Sequence, residues 1–127
     1  MEYQQSYVLG EVEGRFASIV WANAPLGSGD LVKRCRETLN WSKSTTYTVL
    51  RKLCEKGFFK NEDGKVQVLL TEEDYRLRLG ETVVRENYGG SLPAFLAAFT
   101  AKNRLSAEEA EEIGRMIDAY RKGDTDG

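Results

Sequence analysis

The stretch that decides the fold is residues 41–70, which read WSKSTTYTVLRKLCEKGFFKNEDGKVQVLL. Its first half predicts a helix that opens at the capping residue Ser42 and ends at Gly57. Its second half predicts two strands, Phe58 to Lys60 and Val66 to Leu70. The turn between them contains Gly64, which tolerates a positive φ. Residues 41–70 are therefore expected to form a helix followed by a short β-hairpin.

Two further helices are predicted ahead of this stretch. In residues 10–23, the apolar side chains Val12, Phe16, Ile19 and Val20 recur at helical spacing. A second helix is expected from Ser28–Asp30 to about residue 39, with Leu31, Cys35 and Leu39 as its buried stripe. Helix, helix, helix and hairpin is the order of a winged helix-turn-helix. We therefore expect residues 1–70 to form a DNA-binding domain, mainly α with a small β wing.

Residues 71–127 show a different pattern, which predicts a helical dimerisation domain. Thr71 and Ser106 are expected to cap helices, and Tyr88-Gly89-Gly90 breaks the chain between them. Apolar stripes then recur at helical spacing, and the predicted dimer interface is Leu92, Phe95, Leu96, Phe99, Ile113, Met116, Ile117 and Tyr120. Since a thin arm cannot bury such stripes alone, we expect a homodimer held together by its C-terminal arm.

Charge is distributed unevenly along the chain, although the net charge is only −2. Residues 31–70 carry nine Lys and Arg against four acids, a balance of +5, whereas the segments before and after are acidic. A basic segment on a mildly acidic protein points to a polyanionic partner. The plainer interpretation of these charges is a solvated helical face. The side chains of the third helix favour the polyanionic partner.

The third predicted helix carries the chemistry of a DNA-reading helix, because hydroxyl groups dominate its first half and cations its flanks. The predicted DNA-binding residues are Lys43, Ser44, Thr45, Tyr47, Thr48, Arg51, Lys52 and Lys65. Ser44 and Thr45 can alternatively cap the helix, and Tyr47 can rest on its neighbours. Lys52, together with Lys56, is expected on phosphates rather than bases. The expected partner is double-stranded DNA carrying an inverted-repeat operator.

Composition argues against other classes of function. The chain has no histidine, and its two cysteines, Cys35 and Cys54, lie on apolar stripes, which favours buried, reduced thiols over a redox pair. No metal site, catalytic residue or cofactor is therefore expected, and no glycine-rich phosphate loop follows a strand. The polar first ten residues and the lack of a long apolar run predict a cytoplasmic protein without membrane contact.

The segment Trp41 to Phe58 resembles the recognition helix of the penicillinase repressor family, which includes the methicillin-resistance and copper-transport repressors. Leu9 to Trp21, with Glu13 and Trp21 at matching places, is similar to the first helix of that family. The segment from Tyr88 to Phe99 is similar to its dimerisation arm. The resemblance covers nearly the whole chain and implies a dimeric transcriptional repressor that binds a palindromic operator.

This chain departs from the family pattern in five places. Ser44 and Tyr47 stand where family members carry basic side chains, which implies a different operator, and Gly14 replaces an aromatic residue. The bond Ala98–Phe99 replaces the Asn-Phe bond at which family members are cleaved. The C-terminal tail also lacks the cysteines of the copper-responsive members. The resemblance therefore does not identify the inducing signal of this chain.

Two other functions fit the residues. One is a winged helix that binds a protein partner, which the acidic arm permits. The other is a repressor gated by a small molecule held between the arms, with Phe95, Phe99 and Tyr120 lining the pocket. Charge reversal at Lys43 and Arg51 separates the first alternative from DNA binding, and thermal stabilisation by ligands tests the second.

Overall fold

The computed structural model describes residues 7–126, with side chains through residue 123. Its elements are α1 (Glu11–Asn23), β1 (Leu26–Gly27), α2 (Ser28–Leu39), α3 (Lys43–Glu55), β2 (Phe59–Glu62), β3 (Lys65–Val68), α4 (Glu72–Asn87), α5 (Leu92–Lys102) and α6 (Ala107–Asp126). The order confirms the predicted fold class, a winged helix-turn-helix followed by a helical arm. The short strand β1 was not predicted, because two residues are too few to show an alternating pattern.

The wing is a three-stranded antiparallel sheet in the order β1-β3-β2. Asp63 and Gly64 form its turn with φ values of 54° and 75°, as a two-residue hairpin turn of type I′ requires. The turn pairs Glu62 with Lys65. The predicted strand limits, Phe58 to Lys60 and Val66 to Leu70, differ from the observed ones. In the structure the strands pair directly beside the tight turn, and β3 ends at Val68.

The core of the winged helix lies between α1, α2, α3 and the sheet. Phe16, Leu31, Cys35 and Leu53 are completely buried there, and the Phe16 ring stacks on the Trp41 ring at 5.7 Å between centroids. These positions confirm the predicted stripes of the first three helices for the most part, although Leu39 of the second stripe is only half-buried. Burial of side chains of this size is the main stabilising contribution to such a domain.

Val12 is an exception to the predicted stripe of α1, since its side chain is 53% exposed. It lies in the first turn of that helix, one turn before the buried Phe16. The spacing of apolar residues identified the correct face of α1, but that face is covered only from Phe16 onward.

The chain divides into two compact units between Val83 and Val84, within α4. In the first unit, Tyr75 is buried and its hydroxyl accepts a hydrogen bond from the Leu9 amide at 2.8 Å. The Trp21 indole donates to the Leu70 carbonyl at 2.9 Å. The start of α4 thus packs with the winged helix, and the functional division at residues 70 and 71 stays a prediction.

The second unit contains the end of α4 together with α5 and α6. Gly89 and Gly90, with φ values of 58° and 80°, break the chain after α4 as predicted. The Ser106 hydroxyl accepts from the Glu109 amide at 3.0 Å, and the Glu109 carboxylate accepts from the Ser106 amide at 3.3 Å. This reciprocal pair is the predicted capping box of the last helix. No helix within residues 7–126 has the length and apolar character needed to span a membrane.

Candidate nucleic-acid interface

Helix α3 presents one polar face to solvent and one apolar face to the core. Thr46, Leu50 and Leu53 are buried beneath it. Of the eight predicted DNA-binding residues, Lys43, Ser44, Thr45, Thr48, Arg51 and Lys52 are exposed on the helix, Lys65 is exposed on the wing, and Tyr47 is half-buried. Because successive residues turn by about 100° around a helix, Ser44, Thr48 and Arg51 share the face opposite the core.

Hydroxyl groups organise the N-terminus of α3. The Ser42 hydroxyl accepts from the Thr45 amide at 3.2 Å, which confirms Ser42 as the N-cap, and donates to the Thr45 hydroxyl at 3.0 Å. Thr45 therefore takes part in the cap, which is the alternative to DNA contact that its sequence position offered. Lys43 stands exposed at the first position of the helix and has no ion-pair partner among residues 7–123.

Tyr47 connects α3 to the start of α2. Its hydroxyl donates to the Ser28 hydroxyl at 2.9 Å. Its ring lines a shallow cavity of about 240 Å³ with Leu50, Arg51, Cys54 and Asn61. The Tyr47 side chain thus rests on its neighbours, which is the alternative to DNA contact given in the sequence analysis. The hydrogen bond to Ser28 holds α3 against the helix that precedes it.

The wing lies beside α2 through a backbone contact at its turn. The Ser28 amide donates to the Gly64 carbonyl at 2.8 Å, and Gly27 pairs with Lys65 in the sheet. Lys60 is paired with Glu62 at 3.2 Å. Lys65 is exposed and has no ion pair within the described side chains, so its ammonium group is available to an anionic ligand.

Lys52 differs from the other predicted DNA-binding residues because its side chain contacts α1. Its ammonium nitrogen is 2.8 Å from a carboxylate oxygen of Glu13 on α1 and 5.8 Å from the centre of the Tyr7 ring. The Lys56 ammonium lies over the same ring at 4.8 Å. The Tyr7 hydroxyl is 2.9 Å from each Glu13 oxygen. Sequence reasoning missed this contact, because Tyr7 precedes the first helix and shows no periodicity.

Ionisation of the Glu13–Lys52 pair follows from these contacts. Burial opposes the charge on Glu13, but hydrogen bonds from Lys52, the Gly10 amide and Tyr7 outweigh it and lower the pKa of the Glu13 carboxyl. Its hydrogen bond to Glu13 in turn raises the pKa of Lys52. Both groups are therefore charged at neutral pH.

Neither cysteine forms a disulfide. Cys35 is completely buried, as predicted, whereas Cys54 is half-buried at the edge of the cavity beside Tyr47. Burial raises the pKa of both thiols. Since the thiolate is the reactive form of cysteine, both side chains are poor nucleophiles at neutral pH.

The arm exposes apolar side chains along its two helices. In residues 84–123, no side chain is buried. Of the predicted interface residues, Phe95, Leu96 and Ile113 are half-buried, and Leu92, Phe99, Met116, Ile117 and Tyr120 are exposed, from 43% for Phe99 to 74% for Tyr120. An apolar surface of this extent is a feature of interaction sites rather than of the free surface of a monomer.

These features define the class of protein: a winged helix-turn-helix with an exposed polar third helix and a helical arm. The chain belongs to the penicillinase repressor family, whose sequence pattern it matches over residues 9–119. The resemblance seen in the recognition helix and the arm is thereby confirmed, and the class is that of a transcriptional repressor.

Individual relatives support the assignment at low identity but high coverage. The methicillin resistance regulatory protein MecI of Staphylococcus aureus strain Mu50 is 23% identical over 117 residues, covering 89% of this chain and 95% of the relative. The penicillinase repressor of Bacillus licheniformis is also 23% identical over 117 residues, with 89% and 91% covered. MecI of Mammaliicoccus sciuri is 22% identical, with 89% and 95% covered. The similarity therefore includes both the winged helix and the arm.

Proposed function

We propose that this repressor binds a palindromic DNA operator as a homodimer and blocks transcription there. The observation that carries the proposal is the exposed face of α3, where Ser44, Thr48 and Arg51 point away from a buried apolar face. Short hydroxyl side chains and a guanidinium on one face of a helix suit the hydrogen-bonding pattern of base edges in the major groove.

The charge of the same segment supports DNA as the partner. Residues 31–70 have a balance of +5, and Lys43, Arg51 and Lys65 are exposed without an ion pair among the described side chains. Lys43 stands at the helix N-terminus, where the free amide groups of the first turn add a further site for a phosphate. Lys65 stands on the wing and is proposed to contact the phosphate backbone beside the groove.

The arm supports the dimer. Five large apolar side chains on α5 and α6 are exposed, and no side chain in residues 84–123 is buried. A second copy that presents the same surface covers them symmetrically, as in most homodimers. Two recognition helices related by this symmetry then enter the major groove about 34 Å apart or at a multiple of that distance, which requires an inverted repeat.

Equilibrium binding to the chain's own upstream DNA tests the proposal. Fluorescence anisotropy is measured with a duplex that contains the upstream inverted repeat and with a scrambled duplex of equal length, at several salt concentrations. We expect tighter binding to the repeat and a log–log salt slope near −0.9 for each phosphate neutralised. Equal affinity for both duplexes at matched salt would rule out sequence-specific repression.

A charge reversal identifies the surface that binds. The double variant Lys43→Glu/Arg51→Glu places two negative charges on the α3 face and is expected to abolish binding to both duplexes. Lys102→Glu/Lys122→Glu makes the same change of charge at exposed positions of the arm. It is the matched control once sedimentation verifies that this variant is still a dimer. If the two variants bind DNA equally well, α3 does not form the interface, and the interpretation as a protein-binding winged helix gains support.

A further inference from the structure

One group of side chains ties the far end of α3 to the start of α1. It consists of Tyr7, Glu13, Lys52 and Lys56 and is called the Glu13 cluster here. The Glu13 carboxylate accepts hydrogen bonds from the Tyr7 hydroxyl at 2.9 Å and the Gly10 amide at 3.1 Å, and it pairs with Lys52 at 2.8 Å. The carboxylate therefore links three parts of the chain that are separate in sequence.

We propose that the Glu13 cluster fixes the position of α3 for operator recognition, and that Lys52 is a positioning residue rather than a phosphate contact. The proposal rests on the DNA-binding function proposed above. It assigns a role to two residues, Tyr7 and Glu13, that lie outside the face of α3.

The geometry of the Glu13 carboxylate favours this role for Lys52. The Glu13 side chain is only 18% exposed, whereas that of Lys52 is 51% exposed. If Lys52 turned to a phosphate, a half-buried carboxylate would lose its cation and keep only its hydrogen bonds from Tyr7 and the Gly10 amide. This is unfavourable because a charge that is partly removed from water needs a partner. Lys43 and Arg51 have no such competing partner among residues 7–123. They are therefore the cations available to DNA on this helix.

The Tyr7 ring extends the contact by a further helical turn. Both ammonium groups, of Lys52 and Lys56, lie over this ring, at 5.8 and 4.8 Å from its centre. The ring also meets the buried Phe58 edge-on at 6.1 Å. Cation–π contacts and the ion pair thus hold α3 near its C-terminal end, while the bond between Tyr47 and Ser28 holds it nearer its N-terminal end.

Two fixed points determine the tilt of a helix. Lys52 follows Ser44 by eight positions, about 12 Å along the axis. A hydrogen bond from Ser44 or Thr48 to a base requires a donor–acceptor distance of about 2.5–3.2 Å and weakens steeply when its angle is poor. Release of the C-terminal end is therefore expected to weaken base contacts more than phosphate contacts, whose point charges tolerate small shifts.

The first test compares salt slopes for Lys52→Gln and Lys43→Gln on the operator duplex and on the scrambled duplex. Lys43→Gln removes a proposed phosphate contact, so we expect its slope to fall in magnitude by about 0.9 on both duplexes. Lys52→Gln is expected to keep the wild-type slope and to lose about three- to tenfold in operator affinity. Its affinity for scrambled DNA is expected to change less than about twofold.

A different pattern overturns the positioning role. If Lys52→Gln reduces the slope by about 0.9 and weakens both duplexes alike, Lys52 contacts a phosphate. If Lys52→Gln, measured well below its unfolding midpoint, keeps wild-type affinity for the operator, the cluster only stabilises the fold. If the wild type itself binds no duplex in a salt-dependent manner, the proposed function fails as well, and Lys43→Gln then has no slope to change.

The second test exchanges the two charges. Glu13→Lys and Lys52→Glu are each expected to weaken operator binding, and the double variant Glu13→Lys/Lys52→Glu is expected to recover most of it because the attraction is restored with reversed sign. A phosphate contact predicts instead that the double variant binds as weakly as Lys52→Glu.

Tyr7→Phe is a milder variant, because it removes only the hydroxyl group and retains the ring beside Phe58. It is expected to lower the ratio of operator to scrambled affinity without changing the salt slope.

Discussion

Truncation of one arm residue gives a quantitative test of the proposed dimer. Ile117 lies on α6 with 49% of its side chain exposed. Complete burial of an isoleucine side chain contributes about 2–3 kcal/mol, so a second copy that covers the remaining half adds about 1–1.5 kcal/mol per protomer. A twofold-symmetric interface contains the residue twice. Ile117→Ala is therefore expected to weaken the dimer by about 2–3 kcal/mol, a factor of about 30 to 150 in the dissociation constant.

Sedimentation equilibrium over a range of protein concentrations measures this constant for the wild type and the variant. Val12→Ala is the matched control, because Val12 is 53% exposed on α1 in the first unit. It is expected to leave the dissociation constant unchanged within about twofold, since surface substitutions away from an interface have effects within ±0.5 kcal/mol. Thermal unfolding of both variants verifies that the monomers are folded.

Two results would refute the reasoning. A dimer that dissociates at the same concentration in Ile117→Ala, Val12→Ala and the wild type would show that the α6 stripe lies outside the interface. A wild type that remains monomeric at every accessible concentration would remove the dimer itself. In that case the exposed side chains of the arm need another partner.

Three further predictions concern the winged helix. The pKa of Glu13 is lowered below its ordinary value of 4.5, so its ionised form stabilises the fold above that pH, and this contribution is lost as the pH falls through the lowered pKa. In urea unfolding at several pH values, Glu13→Gln is expected to lack this part of the acid destabilisation. Parallel profiles of stability against pH for the wild type and the variant would contradict this expectation. Gly64→Ala is expected to lower the free energy of unfolding by about 1–2 kcal/mol, because φ is 75° at this position. Gly29→Ala, which lies in open space and has no positive φ, is expected to change stability little. Equal unfolding midpoints of the two variants in urea would contradict the turn geometry. Phe16→Ala is expected to cost about 3–5 kcal/mol because its side chain is completely buried, and a loss as small as that of Val12→Ala would contradict the position of the core.

Local patterns predicted most of the helices correctly, because each helix carries its own signals. Ser42 and Ser106 cap α3 and α6 as expected, and Gly89 and Gly90 separate α4 from α5. These signals act within a few residues, through hydrogen bonds to neighbouring amides and through φ values that glycine adopts easily. The strand limits were less accurate, because pairing depends on the partner strand as well as on the strand itself.

The candidate interface was predicted less completely than the fold. Sequence spacing placed Ser44, Thr48 and Arg51 on one face of α3, where the structure has them. It placed Tyr47 on the groove side or against its neighbours, and Lys52 on a phosphate. It did not show that each of these side chains has a partner on another element, Ser28 for Tyr47 and Glu13 for Lys52. A helical pattern describes which side of its own helix a residue occupies and carries no information on neighbouring helices.

The sequence alone determined the class of fold, the exposed face of the third helix and the apolar stripes of the arm, because caps, turns and helical periodicity depend on residues close together in the chain. Only the tertiary structure decided that β1 completes the wing, that Tyr75 joins the first core and that Glu13 meets Lys52. Such contacts join residues tens of positions apart. They are set by how whole helices pack, and their energies depend on burial and distance, which no local pattern contains.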